Sequence, residues 1–299
     1  MLINEPEINL SAVLIDCDPG WDDALALVLL LAKIGGPNVI GVTTVYGNGT
    51  LSQSTENARR LTAYCGKPSL KVYSGSDQSM SPWSGKLPSP AQPSSILQNL
   101  PDMGPLSPDN AVDFILSAAN QFGPSLTILA TGPLTNIAKA VQRSPDDMRK
   151  VGHLLVVGGA FKTGEFNFRS DPKAAGLTIN SFLNTILIPL ETCEQAKSPP
   201  GFLAGLRDKG PFARFYSDII EEQVTAKNPG ATEGLYDQLG ALCVLAPRIF
   251  TTERHPICID PSNGSVILLP EHQMGPTALI AESIDLDMAY RVLSWRLSS

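Results

Sequence analysis

A chain of 299 residues, 43% hydrophobic and 17% charged, has ample material for the core of one large α/β domain. Its net charge of −7, with no block of five or six basic residues, argues against a nucleic-acid partner. The five cysteines (Cys17, Cys65, Cys193, Cys243, Cys258) are scattered, odd in number and without a CxxC pair, which argues against a disulfide framework or zinc knot and for a reducing compartment.

The N-terminus MLINEPEINLSAV carries acids where a signal peptide needs bases, so no leader is expected. The first hydrophobic run, SAVLIDC (11–17), reads as a strand buried on both faces, and a helix is expected over 22–33. That helix holds the longest apolar stretch, ALALVLLLA (24–32), far short of the ~20 residues a membrane span needs. A soluble, cytoplasmic protein is the expectation. Next come a strand at NVIGVTTV (38–45) and a helix over 51–64. Residues 74–108, rich in Pro, Ser and Gly, read as a long ordered loop or lid, or equally as a surface insertion. A helix over 109–121 leads to the strand SLTILAT (125–131), a helix over 134–143, and the strand GHLLVVGG (152–159). A helix over 172–183, the strand TILIPL (185–190) and a helix over 212–226 follow. Alternation of this kind predicts an α/β fold, a central and mostly parallel sheet flanked by helices in Rossmann-like fashion, with 1–299 as a single domain.

In open parallel sheets, ligands bind beyond the carboxyl ends of the strands. Four loops bring polar residues to that edge: DCDPGWDD after the first strand, YGN (46–48) after the second, TGPLTN (131–136) after the third, and GGAFKTGEFN (158–167) after the fourth. Asp16, Asp18, Asp22 and Asp23 fall within eight positions, with no Lys or Arg between Asp16 and Ala32. Like charges so close repel unless something neutralises them. Capping of the following helix accounts for one or two of these acids, not four. A hard cation from solution accounts for all of them, and oxygen-only donors suit Ca²⁺. The spacing is not an EF-hand, since Gly20 occupies a ligand position and no Glu stands at the twelfth.

DCDPGWDDALAL resembles the N-terminal fingerprint of the inosine-uridine-preferring nucleoside hydrolases. The resemblance continues in order through GVTTVYGN, ILATGPLTNIA, VVGGAF, EFNFRSDPKAA and YDQLGALCVL. It implies the nucleoside-hydrolase fold, assembly as a homodimer or homotetramer, and hydrolysis of ribonucleosides to ribose and free base. It also implies that Asp18 and Asp23 hold Ca²⁺, with the Thr131 carbonyl and Asp237 completing the protein shell. Asp18 is then the general base toward a Ca²⁺-bound water. Asp22, Asn48, Glu165 and Asn167 match the positions that grip the ribose hydroxyls, and Asp16 supports the loop from behind.

Residue chemistry points the same way. Departure of a base builds oxocarbenium character on ribose, and a carboxylate can take the proton of an attacking water. Groups built to bond sugar hydroxyls are left unpaired by deoxyribose and reject it.

The chain departs from the family pattern at the leaving group. Many members carry His immediately before the C-terminal Ca²⁺-binding Asp, where this chain has Tyr236. His153 falls inside a strand and His255 and His272 in the C-terminal tail, so none takes that role. The family's HG motif is missing from residues 74–108, where Trp83 is the one Trp. Tyr236, as a stacking ring or hydroxyl donor, and Trp83, as a second wall, are the candidates for the base site, with Trp21 lining the mouth or packing. Without a group titrating near neutrality, purine or nicotinamide ribosides are expected to be favoured over uridine. Two alternatives stay open: a nucleoside- or ribose-binding homologue without turnover, and an aspartyl-phosphate phosphatase suggested by DCDPG. The phosphatase needs a later Lys and acidic pair at strand ends, which the sequence does not supply.

Overall fold

The computed structural model describes residues 11–32, 35–80, 94–100, 103–182, 184–225, 234–270 and 272–298. Within them one sheet runs in the order β3-β2-β1-β4-β5-β6-β9-β7-β8. Its strands are β1 (Ala12–Cys17), β2 (Val39–Thr44), β3 (Val72–Ser74), β4 (Leu126–Ala130), β5 (His153–Val157), β6 (Thr185–Ile188), β7 (Phe250–Ile259), β8 (Val266–Leu268) and β9 (Thr277–Ile284). β1 to β6 and β9 pair in parallel, while β7 runs antiparallel to β9 and to β8. The five expected strands are present within a residue or two of their anticipated ends.

Side chains of β1 alternate between two cores. Val13, Ile15 and Cys17 enter one, with the helices Trp21–Leu31, Pro211–Ile220 and Asp237–Leu245. Ala12 and Leu14 enter the other, with the helices Ala111–Phe122, Thr135–Arg143 and Pro172–Ile179. Both faces of the sheet are therefore covered, which is why its central strands read as unbroken apolar runs. The helix Trp21–Leu31 is apolar nearly all round and lies wholly inside, only its first residues reaching the sheet edge. Each of its buried leucines contributes about 1.5–3 kcal/mol, so the acidic loop before it is tied to a helix embedded in the core.

The chain winds outward from β1 through β2 and β3, then crosses back to lay β4 against the opposite side of β1. Strand order reverses between β1 and β4, and such a switch point opens a crevice at the carboxyl ends. Asp18 follows β1 there and Thr131 follows β4.

Several expectations need correction. The helix expected over 172–183 stops at Ile179, and that over 212–226 is α-helical only to Ile220 and continues as a wider π-turn through Thr225. His255 is not in a tail but inside β7. Described parts of 74–108 are not one loop: they hold the end of β3, the short helix Ser95–Gln98 and a bridge from Leu106 to Val72. Trp83, Lys33, Leu183, Ala226 and the first ten residues lie outside the described residues. Among the described residues no helix is long and apolar enough to cross a membrane.

Candidate active site at the strand switch point

Asp18 is fully buried where β1 ends. Its Oδ2 accepts the Asn48 amide at 2.6 Å, while Oδ1 has no hydrogen-bond partner. Gly47 makes this approach possible: its φ is +157°, and a Cβ there would stand 2.0 Å from Asp18 Oδ2. Tyr-Gly-Asn is thus a backbone clamp on one carboxylate oxygen that leaves the other bare.

Asp22 and Asp23 open the helix Trp21–Leu31, and Asp237 opens the helix Asp237–Leu245, which packs against it. One carboxylate oxygen from each of the three lies within 4.8 Å of the others. Asp23 is held on both oxygens, by Thr131 Oγ1 at 2.7 Å and by the Gly20 amide at 3.2 Å and Asn48 Nδ2 at 3.3 Å. No Lys or Arg forms an ion pair with Asp18, Asp22, Asp23 or Asp237 among the described residues.

Burial, then mutual repulsion, raises the pKa values of this group. Asp18 and Asp237 are held well above the ordinary carboxylate range, by burial and then the Asp23 charge, and burial pushes Asp22 up to about 7. Four carboxylates without a cationic partner, one bearing a bare buried oxygen, form a donor set that fits a divalent cation.

Glu165 caps the helix Phe166–Ser170, accepting from the amides of Asn167 (2.9 Å) and Phe168 (3.2 Å), and from that of Gly159 (2.9 Å). Asn167 Nδ2 donates to the Thr131 carbonyl at 2.7 Å and the Val157 carbonyl at 3.3 Å. Glu165, Asn167 and Thr131 line a cavity of about 250 Å³ together with Asp22, Asn48, Tyr236 and Asp237. Asp18 and Asp23 lie behind its wall.

Asp16 sits one layer further in. Its Oδ1 accepts from Thr43 Oγ1 at 2.5 Å and Asn136 Nδ2 at 2.8 Å, and burial pushes its carboxyl up to about 6. Asn136 also donates to the Thr44 carbonyl (3.0 Å) and accepts from the Ser76 amide (2.8 Å), joining β1, the end of β2 and the loop after β3.

Of the residues singled out from sequence, Asp18, Asp22, Asp23, Asn48, Thr131, Glu165, Asn167, Tyr236 and Asp237 converge here. Sequence reasoning did not single out Val157, Gly158, Phe166, Leu190 and Cys193, which complete the cavity lining. Leu190 and Cys193 follow β6, so their position at a fifth strand end was the available signal. The role of Asn136 was also missed, although it closes the TGPLTN run.

Residues 13–291 match the family model described as inosine-uridine preferring nucleoside hydrolase. A protein from Leishmania major carrying that same description is 30% identical, over 85% of this chain and 84% of its own. A probable uridine nucleosidase 1 from Oryza sativa subsp. japonica is 31% identical, over 72% of this chain and 69% of its own. Among solved structures, a purine-preferring ribonucleoside hydrolase from Gardnerella vaginalis superposes with a TM-score of 0.83 at 25% identity, covering 96% of this chain and 98% of that one.

Proposed function

This chain belongs to the inosine-uridine preferring nucleoside hydrolase family and is an enzyme of that class, and we propose that it cleaves purine or nicotinamide ribosides in preference to uridine, with calcium at the switch point. The bare, buried Oδ1 of Asp18 carries the reading. Ca²⁺ would be held by Asp18, Asp23, Asp237 and the Thr131 carbonyl, which are hard oxygen donors without a cationic partner. When bound, the ion supplies Lewis acidity and a template that orients water and the ribose hydroxyls.

The side chains perform the remaining work. Asn48 fixes the orientation of Asp18 through Oδ2, so the carboxylate that takes the proton of the attacking water is set in place beforehand. Asp22, Asn48, Glu165 and Asn167 grip the ribose, whose hydroxyls satisfy polar groups gathered on one side of the cavity. Glu165 is immobilised by three backbone amides, so its orientation is set before substrate arrives.

At the leaving group, Tyr236 borders the cavity as a half-buried ring, and burial and then Cys193 push its phenol above the ordinary range. A phenol that holds its proton so firmly is a poor acid for the strongly basic anion left by uridine. Purines accept a proton at N7, and nicotinamide departs neutral, so neither needs a strong acid from the protein. Relatives carry both kinds of name, uridine nucleosidase for the rice protein and purine-preferring for the Gardnerella enzyme, so the family alone leaves the base open. The test is a panel of inosine, guanosine, adenosine, uridine, cytidine and nicotinamide riboside, followed by reducing sugar in calcium-containing buffer. Faster release from purine or nicotinamide ribosides is expected; uridine as the best substrate would overturn the preference.

A further inference from the structure

A second group of metal-ligating side chains lies outside the active site, on the antiparallel part of the sheet. Glu253 and His255 are two residues apart on β7, so they share a face, with Arg254 on the other. Register pairs Glu253 with Ile280 and His255 with Ala278, and Glu282 stands at the irregularity where the ladder passes from Thr252–Ala281 to Thr251–Ser283, within reach of His255. His255 Nε2 is 3.3 Å from Glu282 Oε1 and 3.8 Å from Glu253 Oε2, and all three ligand atoms lie within 4.8 Å of one another.

We propose that Glu253, His255 and Glu282 form a second metal site, selective for a borderline transition ion such as Zn²⁺ rather than for Ca²⁺. Donors about 2.0–2.1 Å from a tetrahedral ion stand on the order of 3.3 Å apart, and the two spacings from His255, 3.3 and 3.8 Å, approach that. Imidazole with two carboxylates matches zinc, whereas calcium takes six to eight oxygens. Neither carboxylate has a Lys or Arg ion-pair partner among the described residues, so two negative charges face one imidazole. A dication balances that excess better than the imidazole alone.

A cavity adjoins the cluster. His255 and Glu282 line a cavity of about 220 Å³ with Glu191, Gln195 and Phe161. Glu191 Oε1 accepts the Phe161 amide at 2.8 Å, but its Oε2 is buried without a hydrogen-bond partner. Three protein ligands leave a tetrahedral ion one open position, and the cavity has room there for a water or small anion. The same short helix, Leu190–Cys193, turns Leu190 and Cys193 toward the catalytic cavity and Glu191 toward this one.

The experiment is calorimetric titration of Zn²⁺ into the full chain with the catalytic cluster kept filled by millimolar Ca²⁺. One equivalent is expected to bind, and His255→Ala or Glu282→Gln to weaken it by at least about tenfold while the thermal transition without zinc stays unchanged. Co²⁺ should give visible bands of a nitrogen–oxygen tetrahedral site that His255→Ala abolishes. Zinc binding absent from the wild-type chain, or indifferent to both substitutions, overturns the proposal.

Discussion

Trp21 meets the ring of Tyr236 edge to face, with centroids 6.4 Å apart and planes at 87°. Trp21 opens the helix that bears Asp22 and Asp23, and Tyr236 immediately precedes Asp237. The Tyr236 ring in the cavity wall is thereby indexed to the two helix starts that bear the acids. An aromatic pair of this geometry contributes about 0.5–1.5 kcal/mol beyond its burial. Tyr236→Phe keeps the ring and its contact and removes only the hydroxyl. We expect kcat for a purine riboside to stay within about threefold of wild type, whereas Trp21→Ala should raise KM by about three- to tenfold, from about 0.5–1.5 kcal/mol of lost ring fixation. A large loss of kcat in Tyr236→Phe would show that the hydroxyl takes part in the chemistry.

Asp18→Asn retains the size of the side chain but removes the charge and the proton acceptor. Loss of a general base alone costs about 10²–10⁴ in rate, and a weakened cation site adds to that. Steady-state rates at saturating calcium, with calcium titration of the metal-free protein, separate the two contributions. Asp237→Ala should mainly weaken calcium binding. A rate within a few-fold of wild type for Asp18→Asn would remove the mechanism given above.

Removal of calcium should invert the pH dependence of stability. Burial pushes Asp16 to about 6 and Asp22 to about 7, against about 3.9 in an unfolded chain. Between those limits the folded metal-free protein binds more protons than the unfolded chain, so its stability falls as pH rises through roughly 4 to 7. In EGTA the Tm is expected to be higher near pH 5 than near pH 7.5. Added calcium, which binds ionised carboxylates, should raise the Tm more at the higher pH. Differential scanning fluorimetry at the two pH values reads both effects.

Gly47 is the position where a single methyl group tests the geometry behind Asp18. A Cβ there meets Asp18 Oδ2 at 2.0 Å, and the φ of +157° already disfavours any other residue. Gly47→Ala must therefore push the Asn48 amide off the carboxylate. The expected outcome is a fall in kcat of at least about tenfold with the far-ultraviolet spectrum retained, since a misplacement near 1 Å can cost about 10²-fold.

What could be read from sequence follows burial. β1, β2, β4, β5 and β6 are covered on both faces, so each is an unbroken apolar run, and the acids and amides following them could be assigned to one edge. β7 was illegible because it runs near the sheet margin and carries Thr252, Glu253, Arg254 and His255 outward to partial or full exposure. β3 and β8 are three residues each, too short for any period to register. Cys193 and Leu190 escaped notice because they are apolar, and a search for charge and hydroxyl donors passes over the groups that shape a cavity wall. The motif loops are contiguous, whereas Asp237 reaches Asp22 and Asp23 only through helix packing, which no local pattern expresses.

Asn136 separates support from catalysis. Its amide group serves Asp16, Thr44 and Ser76 from a fully buried position. Asn136→Leu fills the volume but abandons all three partners, each buried polar group left unmatched costing about 1–3 kcal/mol. A loss of about 3–6 kcal/mol is expected in urea unfolding, with the m-value unchanged. Asn136→Asp is the sharper variant. It keeps the acceptor for Ser76 yet sets a second carboxylate against Asp16 Oδ1, where the wild-type side chain donates at 2.8 Å. Like charges in so dry a place force one of the two to stay protonated. Asn136→Asp should then leave the protein stable near pH 5 and make it lose stability steeply toward pH 8, whereas Asn136→Leu should weaken it at both. Equal loss at the two pH values in both variants would mean that Asn136 fills space and does not hold Asp16.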